Sequence, residues 1–537
     1  MKTIIWMLVC CIFIEIPSAG ASVPGPSPAE FQKSLNFFGI SSIPPDLGRT
    51  EAIHINPDSD KKIILIQDAH MNVSAQQNIA GLMEVVHLQN NSVNHVLMEA
   101  GFGEESVEDI RTLLNPVNAE AEIQALLYKN LIQASEAFAL SSDRKIRLTG
   151  IEDVELYESA VKLFLKTKSG AEQLKSYQAL IRSALGKISP KILNPRLRIF
   201  WLFRSRYQSG DLPLTEYCRL LSSLLNEVRE AEANDPVFQV SRLKKIESQI
   251  NFKRLNEELD IVRPLLSESG GDSAHADAVS SKNLDSIGRQ LTDADFKMAV
   301  ASGSFPEITR YQEYLSELRN LDFREITDSV RAAENSALQN LIKNEAESEF
   351  IRYERFIDLT ERMIGLEVNS REIEERNNLK KFTTLRSAAG WINRNLIESG
   401  FGGDSAVLVN PEFERAVANA EKFYQTAQSR ENFCMNRIRN ELGPDSNQAF
   451  LVIGGYHADR MKSLMKAEGI SYLSLQPNIR HETDNGQYIS ALESQARIFT
   501  ASSGSQDRRS LPGGLMTLRH SVDTELFLKI RGVLTGQ

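Results

Sequence analysis

Residues 61–101 read KKIILIQDAHMNVSAQQNIAGLMEVVHLQNNSVNHVLMEAG. Ile63-Ile64-Leu65-Ile66 is a continuous apolar run, the pattern of a strand covered on both faces in a parallel sheet. Helical spacing follows, with Ala75, Ile79, Leu82, Met83 and Val86 on one face. Ser74 and Gln77 stand at capping-box spacing. Val96-Leu97-Met98 reads as the next strand, and it ends at Glu99. Strand, histidine-bearing turn, helix and strand in this length predict a βαβ unit.

A shorter echo occupies residues 450–477, FLVIGGYHADRMKSLMKAEGISYLSLQP. Phe450 to Ile453 is its strand, and His457 lies in its turn. Met461, Leu464 and Met465 mark the buried side of its helix. Gly469 sits where a left-handed C-cap falls. Tyr472 to Leu475 closes the unit, and Pro477 stops it. The two units predict one α/β domain with a mostly parallel sheet and a single site.

Between them the text changes. Arg147-Leu148-Thr149 reads as a third strand, ending in Gly150-Ile151-Glu152-Asp153. From residue 154 to about 410, apolar residues recur at helical spacing among Glu, Lys, Arg and Gln, as in Leu220, Leu221, Leu224, Leu225 and Val228. This predicts a large all-helical insertion, as a bundle or long hairpin, broken near residues 267–281. Its stripes suit a packed core, or an interface for a protein partner. The expected organisation is therefore a signal peptide at 1–21, a linker and N-terminal segment at 22–60, and a first α/β half at 61–153. The helical insertion at 154–410, a second α/β half at 411–478 and a polar tail at 479–537 follow. Gly101 to Glu105 reads as a loop, and 411–442 as mostly helix.

The chain has 537 residues and a formal charge of −10. That length can bury a large core. The acidic balance argues against nucleic-acid binding, which needs a basic footprint. Lys2, the apolar run Ile4 to Ile16 and Ala19-Gly20-Ala21 have the form of a cleaved secretory signal, so export to a periplasm or the exterior is expected. No later apolar run is long enough to span a bilayer. The mature chain would retain Cys218 and Cys434, as one disulfide or as two buried thiols.

In a parallel sheet, ligands bind at the carboxyl ends of strands. His70, Glu99, Asp153 and His457 each follow a strand there, so they are expected to converge. A carboxylate at a buried strand end such as Glu99 needs a partner, a proton or a metal, and with a raised pKa it serves as a base; capping the next turn is its bland alternative. His70 and His457 can ligate a metal, move protons or satisfy core hydrogen bonds. Asp68 is a candidate ligand or orienter. Gly454 and Gly455 suit close backbone approach. Arg430 suits oxyanion stabilisation, with Asn432 nearby, or is a solvated helix-face residue. Asp153 reads more readily as a cap. There is no nucleotide loop and no nucleophile elbow.

The Gly454-Gly455-Tyr456-His457 turn with its strand and helix resembles the Gly-x-x-His unit of a superfamily. That superfamily comprises the TraB/GumN-like and Tiki-like proteins, the erythromycin esterase-like enzymes and the ChaN-like haem-binding proteins. Arg430-Glu431-Asn432 resembles its Arg-Asn helix, offset by one residue. Gln67-Asp68-Ala69-His70 departs from its glycine-led first turn, and Thr149 to Asp153 resembles its Gly-Ile-Asp turn with one residue added. The resemblance covers about a third of the chain. It implies a hydrolase of peptide or ester bonds at a His/Glu site, with or without a divalent metal held by His70, His457 and Glu99. Mixed His/carboxylate ligation suits Mn, Co or Zn. The alternative is a non-catalytic protein that binds haem, which the resemblance also implies, or a protein partner through the helical insertion.

Overall fold

The structure, a computed structural model, describes residues 28–69, 71–142, 145–226, 235–267, 305–319, 323–402, 406–443 and 446–479, with scattered positions between 490 and 496. The expected signal peptide, His70 and most of the polar tail lie outside the described residues. In chain order the elements begin with α1 (Pro28–Phe37), β1 (Gly48–His54), β2 (Lys62–Asp68), α2 (Val73–Gln89), β3 (His95–Met98) and β4 (Phe102–Glu105). Next come α3 (Glu108–Arg111), α4 (Ala119–Tyr128), α5 (Ala134–Ser141), β5 (Arg147–Ile151), α6 (Val154–Gln173) and α7 (Lys175–Ile192). The helical region continues as α8 (Pro195–Gln208), α9 (Leu214–Asn226), α10 (Pro236–Gln249), α11 (Phe252–Ser267), α12 (Pro306–Arg319) and α13 (Phe323–Leu341). The remaining elements are α14 (Glu345–Gly365), α15 (Ser370–Lys380), α16 (Leu385–Glu398), α17 (Pro411–Glu441), β6 (Gln448–Gly454), α18 (Gly455–Ala467) and β7 (Ser471–Pro477).

The protein is α/β, with a seven-stranded mixed sheet in the order β1-β7-β2-β6-β3-β5-β4. The five central strands are parallel, and the edges β1 and β4 run antiparallel to their neighbours. Both expected halves contribute to this one sheet. They interleave, because β6 inserts between β2 and β3, and β7 flanks β2 on its other side.

The central strands β2, β3 and β6 contain unbroken apolar runs because both faces are covered. Successive side chains alternate faces. Ile64, Ile66, Val96, Phe450 and Val452 pack with Ile79, Leu82, Met83 and Val86 of α2 and with Phe138 of α5. Ile63, Leu65, Leu97, Leu451 and Ile453 pack with Cys434, Met435 and Ile438 of α17 and with Met461 and Met465 of α18. The helix after β2 is capped by Asn72 rather than Ser74: the Asn72 side chain accepts from the Ala75 N–H at 3.0 Å.

Two strands escape the sequence reading. β1 lies within the expected N-terminal segment, and Phe102–Glu105 of the expected loop form the edge strand β4. Neither has an apolar run, since an edge strand is covered incompletely. The helical pattern of residues 309–366 is three helices, α12, α13 and α14. Two compact units emerge. Ser189–Ile351 forms one, and the other contains the sheet with the described residues up to Ile188 and from Arg352 onward. Helices α6, α15, α16 and α17 thus belong with the sheet. Among the described residues no helix is long and apolar enough to cross a membrane.

β4 can pair with β5 only because Gly150 lacks a side chain. A Cβ at Gly150 would stand 1.8 Å from the Gly101 carbonyl carbon and 2.0 Å from the Phe102 nitrogen. These are backbone atoms, so no rotamer change relieves the clash. Gly150→Ala is expected to detach β4 and to cost at least the roughly 1–3 kcal/mol of ordinary overpacking. A denaturant midpoint equal to that of the parent protein would refute this.

Candidate functional site

The strand order brings the candidate residues together. Asp68 is in register with Gly454, and Met98 pairs with Val452 on one side and Gly150 on the other. The residues just past these strand ends are therefore neighbours. Glu99 leaves β3 with its N–H bonded to the Val452 carbonyl at 3.0 Å, and Glu152 leaves β5 bonded likewise to Gly101 at 2.9 Å.

Glu99 is held from three sides. Its Oε2 accepts the Gly454 N–H at 2.5 Å, at the amino end of α18. Its Oε1 lies 3.2 Å from Arg430 Nη2 and 3.4 Å from His457 Nε2. A helix amino terminus, a guanidinium and an imidazole are the compensation that a buried carboxylate requires. Gly454 does permit close backbone approach, and here the approaching group is a carboxylate of its own chain.

Arg430 projects from α17 and is gripped by Glu152 through Nη2 and, at 3.1 Å, through Nε. Its guanidinium also lies 5.0 Å from the centroid of the Tyr157 ring. Burial opposes its charge, but Glu152 and then Glu99 outweigh burial and raise its pKa. Arg430 is permanently cationic here.

His457 lies between two carboxylates. Its Nδ1–H donates to Glu431 Oε1 at 2.7 Å, while Nε2 faces Glu99. Burial lowers the imidazole pKa. Glu99 and the bond to Glu431 raise it more, Arg430 opposes them, and the net shift is above 6.5. The other oxygen of Glu431 meets Arg460 Nε at 2.7 Å. Tyr456 packs edge-on against the imidazole, with centroids 4.9 Å apart.

The remaining candidates have other places. Asp153 caps α6, accepting the Leu156 N–H at 2.9 Å. Asp68 accepts from Gln76 of α2 at 2.5 Å. Asn432 is exposed and accepts from Arg460 at 3.1 Å. Gly455 is the first residue of α18. Cys218 and Cys434 are both free and buried. Burial, then Glu152, raises the Cys434 thiol pKa well above its ordinary value, so this cysteine is no nucleophile. His87 and His95 make buried bonds to Val93 O and Thr149 Oγ1, each at 2.9 Å.

Glu152, Glu431 and Arg460 were not among the expected site residues, yet two of them carried a signal. Glu152 is the first residue past β5, as Glu99 is past β3. Glu431 interrupts the apolar stripe Ala427, Cys434 and Ile438 of α17, all buried with it. A carboxylate on a buried stripe announces a partner. Arg460 carried none.

Backbone strain marks the same strand ends. Ala100 has φ +57° and Met71 φ +61°, and neither is a glycine. Such left-handed residues cost roughly 1–3 kcal/mol and cluster at sites where geometry is enforced.

Among the described residues, no three His, Cys, Asp or Glu side chains converge to hold a metal. Glu99 and His457 Nε2 are two donors of the expected set, and Glu431 on Nδ1 is the usual orienter of a ligating histidine. Arg430 beside Glu99 opposes a second cation there. His70, the third expected donor, lies outside the described residues. Two of the three expected donors are thus together among the described residues, beside the Arg430 guanidinium.

Removing Glu152 would leave buried Arg430 with Glu99 as its one remaining carboxylate in this cluster. Glu152→Ala is expected to cost about 3–5 kcal/mol, the usual penalty for breaking a buried pair. Urea denaturation measures it, and a loss below about 1 kcal/mol, typical of an exposed pair, would refute the assignment. No protein-family model, curated protein or solved structure matches the chain.

Proposed function

We propose that the chain is an exported hydrolase of peptide or ester bonds, with His457 as the group that activates water. The observation that carries this reading is the Glu431–His457–Glu99 alignment, 2.7 Å at Nδ1 and 3.4 Å at Nε2. A carboxylate on Nδ1 fixes the tautomer and leaves Nε2 to exchange protons. The superfamily resemblance at Gly454 to His457 points the same way.

In this mechanism the neutral His457 Nε2 removes a proton from a water held against Glu99. The oxygen adds to the scissile carbonyl, and the negative charge develops beside the Arg430 guanidinium. Glu152 keeps that guanidinium in place. Collapse of the adduct breaks the ester or amide bond, and the proton on Nε2 passes to the leaving alkoxide or amine. Glu431 stabilises the transient imidazolium. No step runs through a metal.

The site chemistry fixes the sign of the pH dependence. His457 is protonated below its raised pKa and therefore inactive as a base. The ratio kcat/KM is expected to rise with pH through a value above 6.5. Glu431→Gln removes a carboxylate that raises this pKa, so the limb should move to lower pH. His457→Ala should lower kcat/KM by about 10²–10⁴-fold. Para-nitrophenyl butyrate and a fluorescein-labelled peptide pool are suitable probes, tested after chelation and with added Mn, Co or Zn. Activity retained in His457→Ala sinks the proposal. Turnover that appears with metal alone, and is lost in Glu99→Ala, replaces it with the metal-assisted reading. No turnover, together with a haem absorbance band on reconstitution, replaces it with the ligand-binding alternative.

A further inference from the structure

A second charged cluster lies within the unit that contains the sheet, away from the residues of the proposed reaction. Glu354, Asp358 and Glu361 follow one another on α14 at spacings of four and three residues, the spacing of one helical face. All three are buried, at 5–6% exposure. Arg182 of α7 reaches this face, donating from Nε to Glu361 Oε2 at 3.0 Å with Nη2 at 2.9 Å. The other oxygen, Glu361 Oε1, is fully buried and has no hydrogen-bond partner. A buried acceptor without a donor is costly for a carboxylate and removed by a proton.

The surrounding charges agree. Asp358 and Glu354 face Glu361 from its own helix, Arg182 faces it from α7, and Tyr177 of the same helix also senses it. Arg355 donates to Asp358 at 3.2 Å and pairs with Glu375. Arg362 turns to Glu372. Arg182 thus faces three carboxylates. Burial first, then the two like charges against Arg182, push Glu361 up to about 7. Arg182 is half-exposed, so the pair has a route to solvent. The donors do not suit a metal, since no metal-holding group of three occurs among the described residues.

We propose that Glu361 is a proton-binding site that fastens α7 to α14, and that losing this proton loosens the pair. The protonated carboxyl supplies the donor or neutrality that Oε1 lacks, and it removes the repulsion of Glu361 by Asp358 and Glu354. Ionisation adds a third charged carboxylate to a face on which Arg182 bonds Glu361 and Arg355 bonds Asp358. The native state holds this proton where the unfolded chain, with an ordinary carboxyl near 4.5, has released it. The stabilisation is therefore complete below 4.5 and is lost as pH rises through about 7.

Hydrogen exchange read by mass spectrometry on the full chain tests this, corrected for intrinsic rates, at about pH 5.5 and about pH 8.5. In the parent protein, protection of the α7 and α14 amides should fall roughly tenfold on raising the pH, the equivalent of one pKa unit. Glu361→Gln mimics the protonated side chain and should hold that protection constant. Asp358→Asn removes one like charge and should move the transition to lower pH, an independent readout if the first variant folds poorly. Protection that is insensitive to pH in the parent, an equal fall in Glu361→Gln, or an unmoved transition in Asp358→Asn would each overturn the proposal.

Discussion

The Glu99 carboxylate is the constraint around which the site is arranged. It stands at the end of a strand buried on both faces, where an ionised group survives only with compensation. Three sources supply it: the Gly454 N–H at the start of α18, Arg430 from α17, and His457. Each belongs to the C-terminal part of the chain. Glu99 is thus the electrostatic clasp between β3 and the elements that return to it. Its partners then require partners. Arg430 is gripped by Glu152, and His457 is backed by Glu431, which is backed by Arg460. With His457 protonated, Glu99, Glu152 and Glu431 balance Arg430, His457 and Arg460. Glu99 and the bond to Glu431 are why the imidazole pKa rises although burial and Arg430 would lower it.

The backbone around this clasp is forced into place rather than relaxed. Ala100 turns left-handed immediately after Glu99, and Gly101 then passes so close to Gly150 that neither position has room for a Cβ. β4 returns antiparallel along β5 from there, and the same close approach sets the Glu152 N–H on the Gly101 carbonyl. The strain at Ala100 and the glycine at 150 serve one result: two carboxylates delivered from adjacent strands to one guanidinium. Strand ends carry Glu99 and Glu152, and helices carry Arg430, Glu431, His457 and Arg460, which favours a fixed geometry.

What was legible in the sequence follows from what burial does to a sequence. Strands β2, β3 and β6 are covered on both faces and so read as apolar runs. Helices α2 and α18 show one apolar face each. The edge strands were hidden because β1 carries Arg49, Thr50 and Glu51, and β4 is Phe-Gly-Glu-Glu. Glu51 is buried all the same, in a β1 bulge where Lys462, Gln67 and Ser474 donate to it. That explains Gln67, which stands where the resemblance leads one to expect a glycine: its amide serves the first strand. The interleaving of β6 between β2 and β3 left no trace in the text, because pairing order is a property of the tertiary fold. Of the four strand-end residues expected to converge, Glu99 and His457 do, Asp153 caps a helix instead, and His70 lies outside the described residues; Arg430 arrives from a helix. Glu152 and Glu431 were not singled out, since acidic residues are common and only burial separates them from the solvated ones.

Interleaving also bears on the long helical region. Glu99 and the Gly454 N–H it accepts are 355 positions apart in sequence. Closing so long a loop appears prohibitive, yet the entropic cost grows only with the logarithm of length, about 0.6 kcal/mol for each doubling. Most of the intervening chain also pays its own way: residues 189–351 form a compact unit with a separate core, and α6, α15, α16 and α17 pack within the unit that contains the sheet. The helices are therefore cheap to insert between β5 and β6. Because β6 completes the sheet between two strands of the first half, no charged site exists until the chain has passed through them. The clasp on Glu99 is consequently a late, long-range contact, and substitutions in it should act on unfolding more than on the early formation of helices.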